Sequence, residues 1–332
     1  MRARDLLTED QLAVVRERHD WKSMALIAHA WAIIFAAMAL FAWWPNPLTF
    51  LIAAVLVAGR QLGLSVLMHE GSHGLLLRDY KWNMRLSQWF CAWPVGVDTR
   101  TYRTYHLKHH ARTQQDDDPD LILSKPFPVT RKSLWRKVLR DLTGQTGIAQ
   151  RKAQIVAAFG KADWPWRQRL DHATEKLGGI ALANLVLFAG LAIAGYWWFY
   201  PVLWLVPLLT VFQLILRIRN IAEHAMVGDK DDLFANARTT LAGPITRLVL
   251  APYWVNYHVE HHVLMWVPCY NLEKFHRFLR DGPHGDKLLV NNSYAEVLRL
   301  VATRPFDDDG DGSKVHTERR RYAGIMMEDE VA

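Results

Sequence analysis

The chain carries 15 histidines, and nine of them stand in four compact groups. His69-Glu70-Gly71-Ser72-His73 has HxxxH spacing. His106-Leu107-Lys108-His109-His110 and His258-Val259-Glu260-His261-His262 both have HxxHH spacing, and His224 closes the string Asn220-Ile221-Ala222-Glu223-His224. On a helix, residues three and four apart share a face. Each of the three multi-histidine groups can therefore aim two or three imidazoles at one point, and Asn220 shares a face with His224. A single histidine is ordinarily a core or surface residue. That reading applies to His19, His29, His172, His276, His284 and His316.

Imidazole binds zinc, copper, iron and nickel. A structural zinc site takes four ligands and a catalytic one usually three. Nine histidines exceed one such site and suit two metals with four or five ligands each. His69, Glu70 and His73 also match the HExxH pattern of a zinc hydrolase with glutamate as base, but that leaves the other seven histidines unexplained. The acids beside the groups are Glu70, Glu223, Glu260, Asp117 and Asp118, the last two within the run 116–120. They are candidates to accept imidazole N–H bonds, fix the tautomers and offset metal charge. Removing hydrogen from an unactivated methylene needs an oxidant that no side chain supplies, so two redox-active metals beside a bilayer point to oxygen activation.

The elements that must position these residues are hydrophobic. Ser23–Gly59 and Leu177–Leu216 contain no charged residue. A hydrocarbon core about 30 Å thick needs roughly 20 helical residues, so each block has room for two spans. Pro45-Asn46-Pro47 interrupts the first block, and Pro201, after Trp197-Trp198-Phe199-Tyr200, interrupts the second. Proline ends helices and aromatic residues gather at interfaces. The expected fold is an all-α integral membrane protein with four transmembrane helices as two hairpins, at about 23–44, 48–68, 178–199 and 201–218. Lys and Arg are missing from both turns and fill segments 1–22, 78–176 and 217–332, which puts those segments and both termini in the cytoplasm. All nine grouped histidines then share the cytoplasmic face. Arg60 lies inside the second span and is expected to face protein or water, in a structural salt bridge or, as the sharper alternative, in a substrate or metal-site cavity.

The chain has 332 residues, 51% of them hydrophobic, and a net charge of +7. No linker divides it, so one domain is expected over 1–332. A cytosolic cap at about 78–176 and 219–290 would hold the metal site, and a tail would cover about 291–332. The charge lies outside the apolar blocks, which suits the basic face of a membrane protein and not a nucleic-acid binder. The polar segment 1–22 does not read as a cleaved signal peptide. Cys91 and Cys269 form no CxxC pair and read as buried small hydrophobes. Leu86–Val97 and Pro244–Tyr257 are too short or irregular to span and are expected at the interface or as short buried helices.

Taken as a set, HEGSH at 69–73, HLKHH at 106–110 followed by QQDDDPD at 114–120, NIAEH at 220–224 and HVEHH at 258–262 resemble the membrane fatty acid desaturase superfamily. The resemblance covers roughly residues 20–280. It implies four spans under a cytosolic cap with a di-iron centre, here in a bacterial inner membrane. It implies iron ligation by His69, His73, His106, His109, His110, His224, His258, His261 and His262, with Asn220 near one iron through water. It also implies O2 as co-substrate, two electrons per turnover and a lipid or fatty-acyl substrate that gains a double bond. The first box is HxxxH where many acyl-CoA desaturases have HxxxxH, which leans toward acyl-lipid or sphingolipid-like branches. No fused cytochrome b5 is visible, so the electrons would come from a separate ferredoxin or cytochrome b5 type carrier, which a basic surface suits.

Three rivals stand beside that reading. The same fold and metals could hydroxylate or ketolate an alkyl or carotenoid substrate. A membrane zinc hydrolase would use His69, Glu70 and His73. A metal carrier would place ionisable ligands within the spans rather than at their ends. Elsewhere, Asp307–Gly312 lacks full EF-hand spacing and reads as an acidic turn, and Arg319–Arg321 reads as a charged tail. Trp254, Tyr257 and Trp266 flank the last box and suit either packing or a tunnel wall.

Overall fold

Asparagine, proline and glycine set where the long helices begin and end. The computed structural model describes residues 2–228 and 231–303. The acidic turn at 307–312, His316, Arg319–Arg321 and much of the expected tail lie outside the described residues.

Helices α1 (Asp20–Trp43) and α2 (Pro47–Ser72) form the first hairpin. The Asn46 side chain accepts the Leu48 and Thr49 N–H groups at 2.9 and 3.1 Å, and Pro47 takes the first helical position, where no N–H is needed. α2 runs past the expected end at 68 and carries His69 on its last turns. After the short turns Gln88–Ala92 and Trp93–Val95, Asp98 caps α3 (Thr99–Arg112), which bears the second box. α4 (Arg131–Leu142) and α5 (Gln145–Ala158) follow. They leave Trp135, Leu139, Ile148, Ile155 and Val156 exposed, an apolar face suited to a membrane surface.

α6 (Trp166–Ile193) and α7 (Tyr200–His224) make the second hairpin. α6 begins earlier than the expected 178 and stops before the expected 199, because Gly195 takes φ +84° and ends the helix in the left-handed region. α7 opens with a widened π turn over Tyr200–Leu205 and breaks at Thr210 (φ −120°, ψ −88°). Pro201 and Pro207 each remove a helical N–H there. All four helices are long and apolar enough to cross a membrane.

The described residues after α7 close over the ends of α2 and α7. They comprise β1 (Thr239–Thr240), α8 (Pro244–Val249), α9 (His258–Val263), α10 (Leu272–Arg280), β2 (Val290–Asn291) and α11 (Tyr294–Val301). β1 and β2 pair in parallel, and the other regular elements among the described residues are helical. One apolar core runs from the spans into the cap.

Arg60 of α2 is buried and faces protein. Among the described residues it has no acidic partner, so the expected salt bridge is replaced by other contacts: it donates to the Leu248 carbonyl at the end of α8 and lies 5.4 Å from the Tyr253 ring centroid. A Cβ on Gly59 would stand 3.0 Å from Val249 Cα, so only glycine lets α8 approach α2 this closely. In the Pro244–Tyr257 stretch the helix is therefore exposed on its outer side, with Ile245 81% accessible, and the turn that follows it is buried against a span.

Candidate metal centre

The four histidine groups converge at the shared end of α2 and α7, and regroup there into two sets. The Nε2 atoms of His73 and His106 are 3.0 Å apart, those of His106 and His110 2.9 Å, and those of His110 and His261 2.9 Å. His69 joins them, and the five ligand atoms lie within 4.8 Å of one another. Beside this set, His224 and His258 Nε2 atoms are 2.8 Å apart and those of His258 and His262 3.2 Å. His109 packs against His224 and His262 with ring centroids 4.8 and 5.0 Å away.

Helix geometry explains the regrouping. Residues four apart are offset by about 40° around a helix, whereas adjacent residues diverge by about 100°. His106 and His110 therefore serve the first set while His109 points to the second. In α9 the roles reverse: His258 and His262 serve the second set and His261 the first. The two HxxHH boxes are complementary halves of a paired site.

The spacing between nitrogens fits metal ions. Two imidazoles bound at right angles to one metal at about 2.1 Å leave their nitrogens about 3 Å apart. Several outer nitrogens are anchored from behind: Asp118 holds His109 Nδ1 at 2.8 Å, and Thr113 Oγ1 stands 3.2 Å from His262 Nδ1. Tyr102 OH stands 3.4 Å from His106 Nδ1. This frees the Nε2 atoms for a common target, as ligand histidines require. His69 Nε2 is buried with no hydrogen-bond partner among the described residues.

The electrostatics agree. Burial, reinforced by neighbouring histidines, holds His106, His110, His258, His261 and His262 well below the usual imidazole range. Burial pushes His73 down to about 3, with Arg103 adding to it. Neutral rings keep a lone pair for a metal. His109 differs: burial pulls it down, but Asp120 and Asp118 outweigh that and raise it. The same carboxylates would offset the charge of a bound cation.

The expected acids divide. Glu223 stands 3.5 Å from His258 Nε2 and is placed to ligate directly, while Arg219 Nε donates to its other oxygen at 2.7 Å. Glu70 Oε1 lies 3.6 Å from His69 Nδ1, but its Oε2 accepts the Cys269 N–H at 2.8 Å. That bond turns one of its two oxygens away from the histidines. Asp117 is a correction: it is exposed and pairs with Arg112 at 2.8 Å, because only Asp118 faces inward from that turn. Glu260 is another, since its oxygens meet Thr239 Oγ1 and His276 Nδ1, each at 2.5 Å, rather than a ligand. Thr239 in turn accepts the Val259 N–H, so Glu260 fastens α9 to β1.

Asn220 lines a small pocket with His109, His224 and His258. A larger cavity of about 170 Å³ reaches His69, Tyr102, Arg219 and Asn220 along a wall that includes Leu62, Val66, Phe212 and Leu216. Trp254, Tyr257 and Trp266 do not line it. Trp254 donates to Glu273, Tyr257 meets Arg247, and Trp266 lies under Arg16. Sequence singles out neither Tyr102 nor Arg219, and it offers Asp120 only as one member of the acidic run 116–120. Tyr102 and Arg219 each stand four residues before a site residue, His106 and Glu223, and that spacing was the available signal.

The fatty acid desaturase family matches residues 42–292. Dihydrorhizobitoxine desaturase of Bradyrhizobium elkanii is 25% identical over 268 residues, covering 77% of this chain and 75% of that protein. The matched stretch contains all four histidine groups and most of the four apolar helices, and the chain belongs to the fatty acid desaturase family.

Proposed function

We propose that the protein holds two iron ions and uses O2 to introduce a double bond into a fatty-acyl chain. The observation that carries this reading is the division of nine imidazoles into sets of five and four at the ends of two membrane spans. His69, His73, His106, His110 and His261 would hold one ion. His109, His224, His258 and His262 would hold the other, with Glu223 and, through water, Asn220 beside it. Iron in this pair supplies oxygen activation and the abstraction of hydrogen from carbon. The apolar wall of Leu62, Val66, Phe212 and Leu216 would lead an alkyl chain toward the ions and exclude water. Asp118 and Thr113 would keep His109 and His262 in their binding tautomers.

The Lys and Arg distribution supports a cytoplasmic location for the site and both termini, in a bacterial inner membrane. Cleavage between α4 and α5 by protease added outside sealed spheroplasts would reverse that orientation. A separate ferredoxin or cytochrome b5 type protein would supply electrons to the basic cytoplasmic side. At 25% identity, the relative supports a desaturase reaction but not a shared substrate.

The test is expression in a host with simple lipids, then mass spectrometry of total lipids with and without oxygen. Loss of two hydrogens from an acyl chain only with oxygen is the expected result. Gain of one oxygen atom would make the protein a hydroxylase or ketolase, and unchanged lipids would remove the lipid-oxidation reading. His109→Ala is expected to abolish the product and lower bound iron. Full activity with unchanged iron would remove His109 from the centre.

A further inference from the structure

The cavity that reaches the histidines has a polar end on α5, formed by Gln150, Arg151 and Gln154 against the turn at Gly96. Arg151 Nη1 donates to the Gly96 carbonyl at 2.7 Å and to Gln154 Oε1 at 2.6 Å. Gln154 Nε2 donates to the same carbonyl at 2.8 Å. These bonds fix one corner of the guanidinium. Its other edge is unmatched: Nε is buried without a partner, and Nη2 has none among the described residues.

The Arg151 side chain is half-buried, and a guanidinium partly withdrawn from water is costly unless a counter-charge meets it. Asp98 lines the same cavity, but its oxygens cap α3 and accept from Gln88 and Trp93. Burial alone pulls Arg151 down to about 10, with no nearby acid opposing it. Gly96 makes the arrangement possible. Its φ is +79°, and a Cβ there would collide with Arg151 Nη1. The adjoining outer faces of α4 and α5 are apolar, so this end of the cavity lies where an amphiphile in the membrane surface can reach it.

We propose that Arg151 receives the anionic head of an amphiphilic substrate, a carboxylate or a phosphate, while its aliphatic chain runs along the cavity toward the histidines. Nε and Nη2 form the edge of the guanidinium that grips two oxygens of one anion. The direction of the chain rests on the oxidation reading above. The anion site itself rests only on the residues around Arg151.

The test is isothermal titration calorimetry of the full-length protein in neutral detergent with octanoate, octyl phosphate and octan-1-ol. A charged hydrogen bond contributes about 1.5–3 kcal/mol, so at least one anion should bind at least about tenfold tighter than the alcohol. The tighter of the two anions identifies the head as carboxylate or phosphate. In Arg151→Met the anion advantage should vanish while iron content and octan-1-ol affinity hold. Arg151→Lys, which keeps the charge but loses the fork, should narrow the advantage, and decides the matter if the methionine variant does not fold. His109→Ala should keep the full advantage, so loss of the chemistry and loss of the anion site are read separately. Equal affinity of wild type for all three probes, or an undiminished advantage in Arg151→Met and Arg151→Lys, would overturn the proposal.

Discussion

His109 and His110 are neighbours in the chain but belong to different histidine sets, and the outer partners differ with them. Asp118 holds His109 at 2.8 Å with both side chains almost fully buried. Loss of such an anchor weakens metal binding by about 10–100-fold. Asp118→Asn should therefore lose iron from the second set first, measured by metal analysis after graded chelation. Iron retention equal to wild type would assign Asp118 to folding alone. The low-lying histidines also set a pH dependence. In the unfolded chain an imidazole gains its proton near pH 6.5. In the folded, metal-free protein His73 resists protonation down to about 3, and the other depressed rings resist it in the same direction. The unfolded state then binds more protons below about pH 6.5, so stability is full above that pH and declines as pH falls toward the folded value. The melting temperature of chelated protein should drop steadily from pH 7 to pH 5. A flat profile would show that these rings are solvated.

At the level of elements, sequence showed existence better than boundaries. Two uncharged blocks, each with an internal proline, announced four apolar helices, and the Asn46-Pro47 start followed from capping chemistry. The end of α6 at Ile193 was missed because Gly195 looked like one more small residue in an apolar run. The irregular course of α7 was missed because hydropathy does not register a helix that widens and breaks. The histidine groups were legible as a cluster able to hold metal, but their exchange between two sets depends on how α3 and α9 face each other, which spacing within one helix does not encode. Asp117 and Asp118 were indistinguishable in a run of acids; the turn that follows α3 chose between them. Arg60 illustrates the same limit. It reads as a charge in a span, and it serves as a clamp on the end of α8, just before the chain enters α9. Unpaired buried carbonyls cost about 1–3 kcal/mol each. Arg60→Leu should lower the melting temperature and shift α9, seen as weakened iron binding that includes His258 and His262. Iron affinity matching wild type in a folded Arg60→Leu protein would separate α8 from the centre.

For the molecule as a whole, the spans and the cap are one body, since a single apolar core joins them and His69, Glu223 and His224 lie on the spanning helices themselves. The polar residues of the cap close one end of the bundle, while the exposed faces of α4 and α5 extend the apolar surface sideways. The helices that are apolar enough to cross a membrane therefore also place part of the histidine cluster.

The uninterrupted course of α2 from its asparagine cap to His69 has a physical consequence. Its 26 residues measure about 39 Å, more than the roughly 30 Å of an average hydrocarbon layer. A rod that overshoots must lean or protrude, and its angle answers to the thickness of the surrounding lipid. Nanodiscs built from progressively shorter phospholipid tails should release iron progressively faster, whereas a constant release rate would mean that the ligand end of the rod is insulated from the tilt.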